Sequence, residues 1–167
     1  MTITLDGVSY TVGGTADTLS YDDGSGIVDL LSGLSGSEPA VTDIEDPWGN
    51  GTVVGSSYEW EGIVVSVYNG RAGVAISVPE VGDTKVQTPE GISVGSTRAE
   101  AMAAGAWTVW DQDGNGNANY LGIGSREVPD TRSLSNPGSV GIEYLMLVLA
   151  DDAVGAIHVP ANDFSDI

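Results

Sequence analysis

Residues 111–120 carry the most specific chemical pattern in this sequence, Asp-Gln-Asp-Gly-Asn-Gly-Asn-Ala-Asn-Tyr. Oxygen-bearing side chains alternate along the run, as in loops that wrap around a calcium ion and present a ligand at every second position. Gly116 stands at position 6 of such a loop and permits the sharp turn that the loop needs. The spacing predicts calcium ligands at positions 1, 3, 5 and 7, which are Asp111, Asp113, Asn115 and Asn117.

The same run has a second interpretation. Position 12 is Gly122, where a bidentate Glu normally completes the coordination of the ion. Asp, Asn and Gly adopt the left-handed backbone conformation readily, so the run equally predicts a polar turn between two strands. We expect no obligatory cofactor, and Ca²⁺ is the candidate ion, bound for stability rather than for catalysis.

Aromatic side chains form a second group of candidates, for binding a partner rather than a metal. Trp and Tyr are common anchors of binding surfaces. Trp107 and Trp110 are predicted to straddle the end of a helix, whereas the spacing of Tyr58 and Trp60 places both rings on one face of a strand. The alternative is that these rings fill a core where helix meets sheet. The candidate binding residues are Trp48, Tyr58, Trp60, Trp107 and Trp110.

The stretch 126–139 is polar and rich in Pro, Gly and Ser. Long connections without regular structure tend to be functional. We therefore predict a recognition loop here, and this loop and a sheet face are the candidate contact surfaces for an unknown protein or glycan.

Catalytic chemistry finds little support in the sequence. There is no Cys, and His158 is the single His, which excludes thiol nucleophiles and zinc sites built on a pair of histidines. No Gly-x-Ser-x-Gly motif is present, and the Gly-rich turns lack the Lys of a phosphate-binding loop. Paired carboxylates stay open as a hydrolytic device, but no pair stands out among the 24 acidic residues. We predict no catalytic residues and a protein that is not an enzyme.

The charge balance excludes two classes of partner. Five Lys and Arg residues against 24 Asp and Glu residues give a net charge of −19. No basic stripe exists to replace counterions on nucleic acid, and the same charge is repelled by an anionic membrane surface. No apolar run approaches the about 20 residues that span a bilayer. Because high negative charge favours solubility over association, we expect a monomer or a weak oligomer.

Two short helices are predicted. Asp23 precedes the first, whose apolar residues recur at i, i+3, i+4 and i+7. The second ends before Gly105 and has Ser96 or Thr97 as its N-cap, and with Thr97 as the cap Glu100 would complete a capping box. The apolar stripe of the first helix consists of Ile27, Leu30, Leu31 and Leu34.

The sequence contains an internal repeat. Residues 72–79 and 153–160 match without gaps and share Ala, Ala, Ile, Val and Pro at equivalent positions. Each follows a strand-like run and a short turn, so each is predicted to close a hairpin. We predict a tandem α+β unit at 1–82, with an N-terminal hairpin, and a second at 83–167. The turns that would close the hairpins are Asn69-Gly70 and Asp151-Asp152.

The predicted fold is therefore α+β, two tandem helix-plus-antiparallel-sheet repeats, strand-rich with two short helices. Each unit is predicted to contain one helix followed by three strands. The sheet is predicted to form one surface that is continuous over eight strands. The segments that carry a resemblance are Gln87–Glu100, which enters the second helix, and Tyr58–Gly62. They are similar to segments of uncharacterised actinobacterial secreted proteins and lipoproteins with tandem repeats. The layout resembles the fold of the beta-lactamase inhibitory protein and the outer-membrane assembly lipoprotein.

That resemblance implies an interaction domain rather than a reaction. The chain lacks the cysteines of the inhibitor and a lipobox, so neither inhibition nor lipidation is carried over. We expect a non-enzymatic binding domain of a secreted or cell-envelope protein, although the chain itself opens without an export signal. The alternatives are a small secreted hydrolase that acts through carboxylates and a calcium-stabilised structural protein of the surface.

Overall fold

The computed structural model describes residues 1–12, 14–49, 51–111, 114 and 117–164. Within them strands dominate, the ladders between strands are antiparallel and there are two helices, which confirms the coarse prediction of a strand-rich α+β fold. The helices are α1 (Gly24–Ser35) and α2 (Arg98–Ala103). The strands are β1 (Thr2–Ile3), β2 (Gly7–Val12), β3 (Thr15–Ser20), β4 (Ala40–Glu45), β5 (Val53–Trp60), β6 (Ile63–Tyr68), β7 (Arg71–Ile76), β8 (Glu80–Val81), β9 (Thr84–Lys85), β10 (Trp107–Trp110), β11 (Tyr120–Glu127), β12 (Ile142–Ala150) and β13 (Ala153–Asn162).

The largest unit is an eight-stranded sheet with the order β10-β11-β12-β13-β7-β6-β5-β4. The number of strands agrees with the expectation of one surface continuous over eight strands, but β4 and β10 were not among the predicted strands. β13 and β7 join the two sides at the centre, where Ile157 pairs with Ile76 and His158 with Ala75. β1, β2 and β3 form a separate sheet, and β8 and β9 form a small ribbon.

The two faces of the large sheet differ in burial. One row of paired residues crosses the sheet from β11 to β6, and every member is at most 2% exposed. This row marks the core face, and helix α1 contributes Ile27 and Leu31, and helix α2 Ala101, to the same hydrophobic cluster. The neighbouring row lies on the opposite face, called the open face below. The core-face row is Leu121, Leu147, Ile157, Ile76 and Ile63, and the open-face row is Trp107, Gly122, Met146, His158, Ala75 and Val64.

Helix α1 forms where its sequence predicts. The Asp23 carboxylate accepts a hydrogen bond from the backbone N–H of Gly26 at 3.0 Å and caps the first turn. Ile27 and Leu31 are fully buried, and Gly36 ends the helix in the left-handed conformation, with φ 68°. The amphipathic spacing therefore decides both the position of α1 and the side that it buries.

Helix α2 selects one of the two predicted caps. Thr97 is the N-cap, and its hydroxyl and the Glu100 side chain form the reciprocal bonds of a capping box. The helix ends at Ala103, and Gly105 follows with a φ of 99°. The prediction that Trp107 and Trp110 straddle a helix end is therefore wrong, because the chain reverses at the glycine and both residues lie on β10.

The sequence predicted three strands after each helix, whereas the structure places four strands of the large sheet after each helix. The additional strands are β4 and β10, which form the two edges of the large sheet. β3 is also outside the prediction and pairs with β2 from Gly7↔Ser20 to Val12↔Thr15. Strands that are mostly exposed lack the buried alternation by which a strand is recognised in a sequence.

Both predicted hairpin turns are present. Asn69 and Gly70 have φ values of 49° and 85°, and Asp151 and Asp152 have φ values of 49° and 65°. Two successive residues with positive φ match the twist of the flanking strands, which is why short hairpin turns select Asn, Asp and Gly. These turns fix the registers β6·β7 and β12·β13.

Candidate functional site

A groove with a volume of about 590 Å³ lies at the β10 end of the sheet. Apolar and aromatic side chains dominate its lining, with a few polar groups among them, which is the usual composition of a binding site. The groove, called the Trp107 groove below, is lined by Trp107, Thr108, Val109, Trp110, Leu134, Ser135, Ile142, Tyr144, Asn162 and Asp163.

Trp107 and Tyr144 form the aromatic part of the lining. Their ring centroids are 5.6 Å apart at an interplanar angle of 61°, an edge-to-face contact. Burial, and after it the negative charge of Asp163, raises the pKa of Tyr144, so the phenol keeps its proton. The Trp107 ring lies directly over Gly122, where a Cβ atom would come within 2.4 Å of the ring. The glycine therefore lets the indole lie flat against the sheet.

Gly122→Ala is expected to push the Trp107 ring off the sheet and to lower the free energy of unfolding by about 1 kcal/mol. The added methyl group overlaps ring atoms that have to move into the groove. The fluorescence emission of the protein reports the changed environment of the indole, and urea unfolding reports the stability. Gly73→Ala is the matched control, because it adds a methyl group on the open face with no neighbour closer than 3.9 Å. Equal behaviour of the two variants would contradict the packing of Trp107 on Gly122.

Two large apolar side chains of the groove are open to solvent. Trp110 is 60% exposed and Leu134 is 58% exposed. Trp110 comes from the edge strand β10, whereas Leu134 comes from the long connection between β11 and β12. Two exposed apolar side chains that share one groove make it a candidate contact surface, since exposed apolar residues that stand singly are common.

The connection 128–141 is held in place by Asp163. The Asp163 carboxylate accepts hydrogen bonds from the hydroxyls of Ser133 and Ser135 and, at 2.7 Å, from the backbone N–H of Ile142. Its carbonyl oxygen accepts a further bond from the backbone N–H of Leu134 at 2.7 Å. Asp163 therefore fixes the segment that carries Leu134.

These bonds also set the charge state of Asp163. Burial raises the pKa of its carboxyl group, but the hydrogen bonds from Ser133, Ile142 and Ser135 outweigh burial and bring the pKa below its ordinary value. Asp163 is thus ionised at neutral pH, with one oxygen bonded to the loop hydroxyls and the other to the backbone N–H of Ile142 at the start of β12.

The long connection predicted at 126–139 is present with shifted bounds, and its role in recognition stays a prediction. β11 runs to Glu127, so the irregular segment begins at residue 128 rather than 126 and continues to 141. Arg126 belongs to the sheet, where its guanidinium pairs with Asp6 at 2.6 Å and with Glu143 at 2.8 Å. Strand pairing extended the sheet into residues that are polar and therefore resemble a loop in the sequence.

The five predicted binding residues do not form one surface. Trp107 and Trp110 lie together in the groove on the open face. Tyr58 and Trp60 pack partly buried against the core on the other face, where the Trp60 indole N–H donates to the carbonyl of Ser37 at 3.0 Å. Trp48 is 89% exposed in the connection after β4.

The predicted binding residues omit three contributors to the groove, although Leu134 lies within the predicted recognition loop 126–139. Tyr144 lies in an apolar strand, Leu134 is an isolated apolar residue in a polar loop, and Asp163 lies close to the end of the chain. No local pattern distinguishes any of them, because the sheet brings them together from separate elements. The one available signal is the alternation of side chains along a strand. Leu145 is buried on the core face, so the preceding residue, Tyr144, places its ring on the open face.

The predicted calcium loop lies only partly within the described residues. Asp111 and Asn117 are described, whereas Asp113 and Asn115 lie outside the described residues. Where the structure describes the chain, no group of three or more His, Cys, Asp or Glu side chains is arranged to hold a metal ion. Gly114 has a φ of 65°, which suits the calcium loop and the polar turn alike. Calcium binding stays a prediction.

The calcium prediction requires that millimolar Ca²⁺ raises the Tm of the wild type and leaves the Tm of Asp111→Ala unchanged. A ligand that binds only the folded state stabilises it by mass action, by about 2.7 kcal/mol at a hundredfold excess over Kd. Scanning calorimetry with Ca²⁺, with Mg²⁺ and with chelator measures the effect. No shift in the wild type, or the same shift in both proteins, contradicts calcium binding by this loop.

The single histidine lies away from the groove, at the centre of the open face. His158 is half-buried on β13 between β12 and β7. Burial lowers the pKa of His158, so the imidazole is neutral at neutral pH.

The comparisons with known proteins bring no relative. No family model, no curated protein and no solved structure matches this chain. Among the described residues, neither helix is long and apolar enough to cross a membrane.

Proposed function

We propose that this chain is a non-enzymatic binding domain and that the Trp107 groove is its contact surface. The observation that carries the proposal is the exposure of Trp110 and Leu134 at a groove whose aromatic members, Trp107 and Tyr144, are packed against each other. Exposed tryptophan beside a pre-formed apolar depression is typical of the anchor points at which binding energy concentrates.

The anchoring of the groove also supports binding. Asp163 holds the loop that carries Leu134 with three side-chain hydrogen bonds, and the edge-to-face contact of Trp107 and Tyr144 fixes the aromatic floor. A contact surface that is ordered before binding loses little conformational freedom when its partner arrives.

The hydrolase alternative receives less support from this groove. Hydrolysis by carboxylates needs two acidic side chains close together, one of them free to give or take a proton. Asp163 is the one carboxylate among the described residues that line the groove, and both of its oxygens accept hydrogen bonds.

We also infer a tandem duplication of one helix-plus-sheet unit. Ile76 and Ile157 are equivalent in the sequence repeat, and they pair directly across β7 and β13. Equivalent residues that face each other across an antiparallel pair indicate a local two-fold relation between two units. Under this relation α1 precedes β4 to β7 as α2 precedes β10 to β13.

The duplication makes the groove a feature of the second unit alone. The connection between β5 and β6 is the short turn Glu61–Gly62, whereas the equivalent connection between β11 and β12 spans 128–141. A long insertion at one of two equivalent positions is best explained by a function of that insertion. The inserted segment supplies Leu134 and Ser135 to the groove.

A secreted or cell-envelope location belongs to the same proposal. The chain has no Cys, and its net charge of −19 favours a well-solvated surface. Fractionation of the source cells with an antibody against the chain tests the location, and recovery in the cytoplasmic fraction alone contradicts it.

Two parallel screens test the function, a display library of random dodecapeptides and a glycan array. Each is probed with the wild type, with Trp110→Ala and with Trp48→Ala. Trp48→Ala is the matched control, because it removes an exposed tryptophan outside the groove. We expect ligands that bind the wild type and Trp48→Ala alike and that bind Trp110→Ala at least tenfold more weakly.

The screens also separate the alternatives. Cleavage of a recovered ligand on incubation with the protein would favour the hydrolase. Ligands that bind all three proteins equally, or an absence of ligands in both screens, would overturn the groove as the contact surface.

A further inference from the structure

The two edges of the large sheet are built differently. The edge strand β4 carries the acidic residues Asp43 and Glu45, whereas the edge strand β10 reads Trp-Thr-Val-Trp and carries no charge. Proteins ordinarily place charged side chains on exposed edges, because an edge strand offers unpaired backbone groups to any other extended chain. β4 has this protection and β10 does not.

The backbone of β10 is paired on one side. β11 is its single neighbour in the sheet. Among the described residues, no backbone hydrogen bond joins residues 107–110 to any element other than β11. The register shifts between Thr108 and Trp110, and such bulges often lie where an edge re-aims side chains at a site. The groove is lined by all four residues of β10 and therefore follows this free edge.

The charge of the surroundings selects the partner. The chain has a net charge of −19, and no Lys or Arg is among the groove residues. The connection 128–141 adds one acid and one base, Asp130 and Arg132, which cancel. An anionic ligand is repelled by this field, whereas a cationic one is attracted to it.

We propose that an extended peptide segment bearing Lys or Arg, from a partner protein, adds to β10 as a ninth strand and places an apolar side chain against Trp110 and Leu134. Backbone pairing gives such complexes their affinity, and pockets for alternate side chains give their specificity. This inference rests on the proposed binding function and names the partner for it. A second copy of the chain is the other strand that could pair with β10, but two copies of charge −19 repel each other.

Calorimetric titration with capped heptapeptides tests the inference. Lysine occupies the four odd positions, and the even positions vary over valine, leucine, isoleucine, phenylalanine, tyrosine and tryptophan. We expect binding to the wild type, unchanged binding to Trp48→Ala and at least tenfold weaker binding to Trp110→Ala. Raising the salt concentration from 0.05 M to 0.5 M is expected to weaken binding severalfold, because salt screens the attraction.

Two altered peptides test the two parts of the mechanism. Glutamate in place of lysine removes the charge complementarity, and N-methylation of alternate backbone nitrogens removes the donors of the added strand. Both are expected to bind at least tenfold more weakly than the parent peptide. The inference is overturned when the glutamate peptide binds as tightly as the parent peptide. It is also overturned when methylation of the odd-numbered nitrogens and methylation of the even-numbered nitrogens both leave binding unchanged.

Three further outcomes are decisive. Failure of all lysine peptides, together with binding of chitohexaose that Trp110→Ala abolishes, overturns strand addition but leaves the proposed binding function in place. Failure of the peptides and of every ligand in the two screens overturns both. A dimer in light scattering of the wild type that Thr108→Lys converts to a monomer shows that a second copy occupies β10, and it also overturns the inference.

Discussion

Asp163→Ala is expected to lower the free energy of unfolding by about 2 kcal/mol and to free the loop that carries Leu134. Three hydrogen bonds to the carboxylate are lost, and bonds to a charged group contribute about 1.5–3 kcal/mol each. The expected loss of stability stays near the contribution of one such bond, because in the variant the serine hydroxyls of the loop can form hydrogen bonds to water. Urea unfolding measures the stability, and hydrogen exchange of the Ile142 and Leu134 amides measures the freeing of the loop.

Asp43→Ala is the control for this variant. Asp43 is an exposed acid on the edge strand β4, so its replacement removes the same charge without a comparable set of bonds. We expect it to change the unfolding free energy by less than about 0.5 kcal/mol. A loss in Asp163→Ala no larger than in Asp43→Ala would contradict the anchoring role of Asp163.

The pKa of Asp163 gives the same contact a pH dependence. The ordinary pKa of an Asp carboxyl group is about 4. Because the folded protein holds the pKa of Asp163 below that value, folding favours the ionised carboxylate. Its contribution is therefore fully present above pH about 4 and is lost as the pH falls through the lower pKa of the folded state. The difference in stability between the wild type and Asp163→Ala is expected to shrink over that interval, and a difference that stays constant would contradict the assignment.

Glu143→Ala is expected to cost about 2 kcal/mol of stability, by a different mechanism. The Glu143 side chain is 13% exposed and receives two guanidinium groups, Arg126 at 2.8 Å and Arg71 at 3.5 Å. Arg126 also reaches Asp6 in the N-terminal sheet, so one carboxylate connects separate parts of the fold. The expected loss lies between the about 0–1 kcal/mol of an exposed pair and the about 3–5 kcal/mol of a broken buried pair.

The control and the salt dependence identify the cause of that loss. Glu38→Ala removes an exposed glutamate and is expected to be nearly neutral. In 1 M salt the screening length is about 3 Å, so the loss in Glu143→Ala is expected to become smaller. A double-mutant cycle with Arg126→Ala isolates the pair. A coupling energy near zero would contradict the role of Glu143 as the link between the two arginines.

Local signals predicted the elements whose structure local chemistry decides. The apolar spacing of Ile27 and Leu31 predicted α1, and the Thr97–Glu100 pair predicted the capping box of α2. The turns Asn69–Gly70 and Asp151–Asp152 predicted both hairpins, because positive φ at two successive positions restricts the residue types. These features depend on neighbours in the sequence, and a single sequence contains that information.

The edge strands could not be predicted from the sequence, and the reason is physical. β3 and β4 are mostly exposed, so no alternation of buried and exposed residues marks them, and β10 has only four residues in which to show one. Trp107 and Trp110 were predicted to straddle the end of α2, whereas the reversal at Gly105 and the pairing with β11 place them on a strand. Tertiary pairing overrides local preference most readily in short segments.

The sequence predicted the residue types that form the site, but not which of these residues come together. Trp107 and Trp110 are in the groove, but Trp60 lies on the opposite face of the sheet, because parity along β5 places it in the buried row beside Ile63. Tyr144 lies on β12 and Asp163 follows the end of β13, so only the register of the sheet brings them together.

The four tryptophans provide the most direct test of the central claim, that the Trp107 groove is the binding surface. Each indole N–H gives its own signal in a proton–nitrogen correlation spectrum, and substitution of each tryptophan assigns the four. The wild type is titrated with the tightest ligand from the two screens. The account predicts that the signals of Trp107 and Trp110 shift, whereas those of Trp48, in its exposed loop, and of Trp60, bonded to Ser37, stay in place. Shifts of Trp48 or Trp60 with unchanged Trp107 and Trp110 would contradict it.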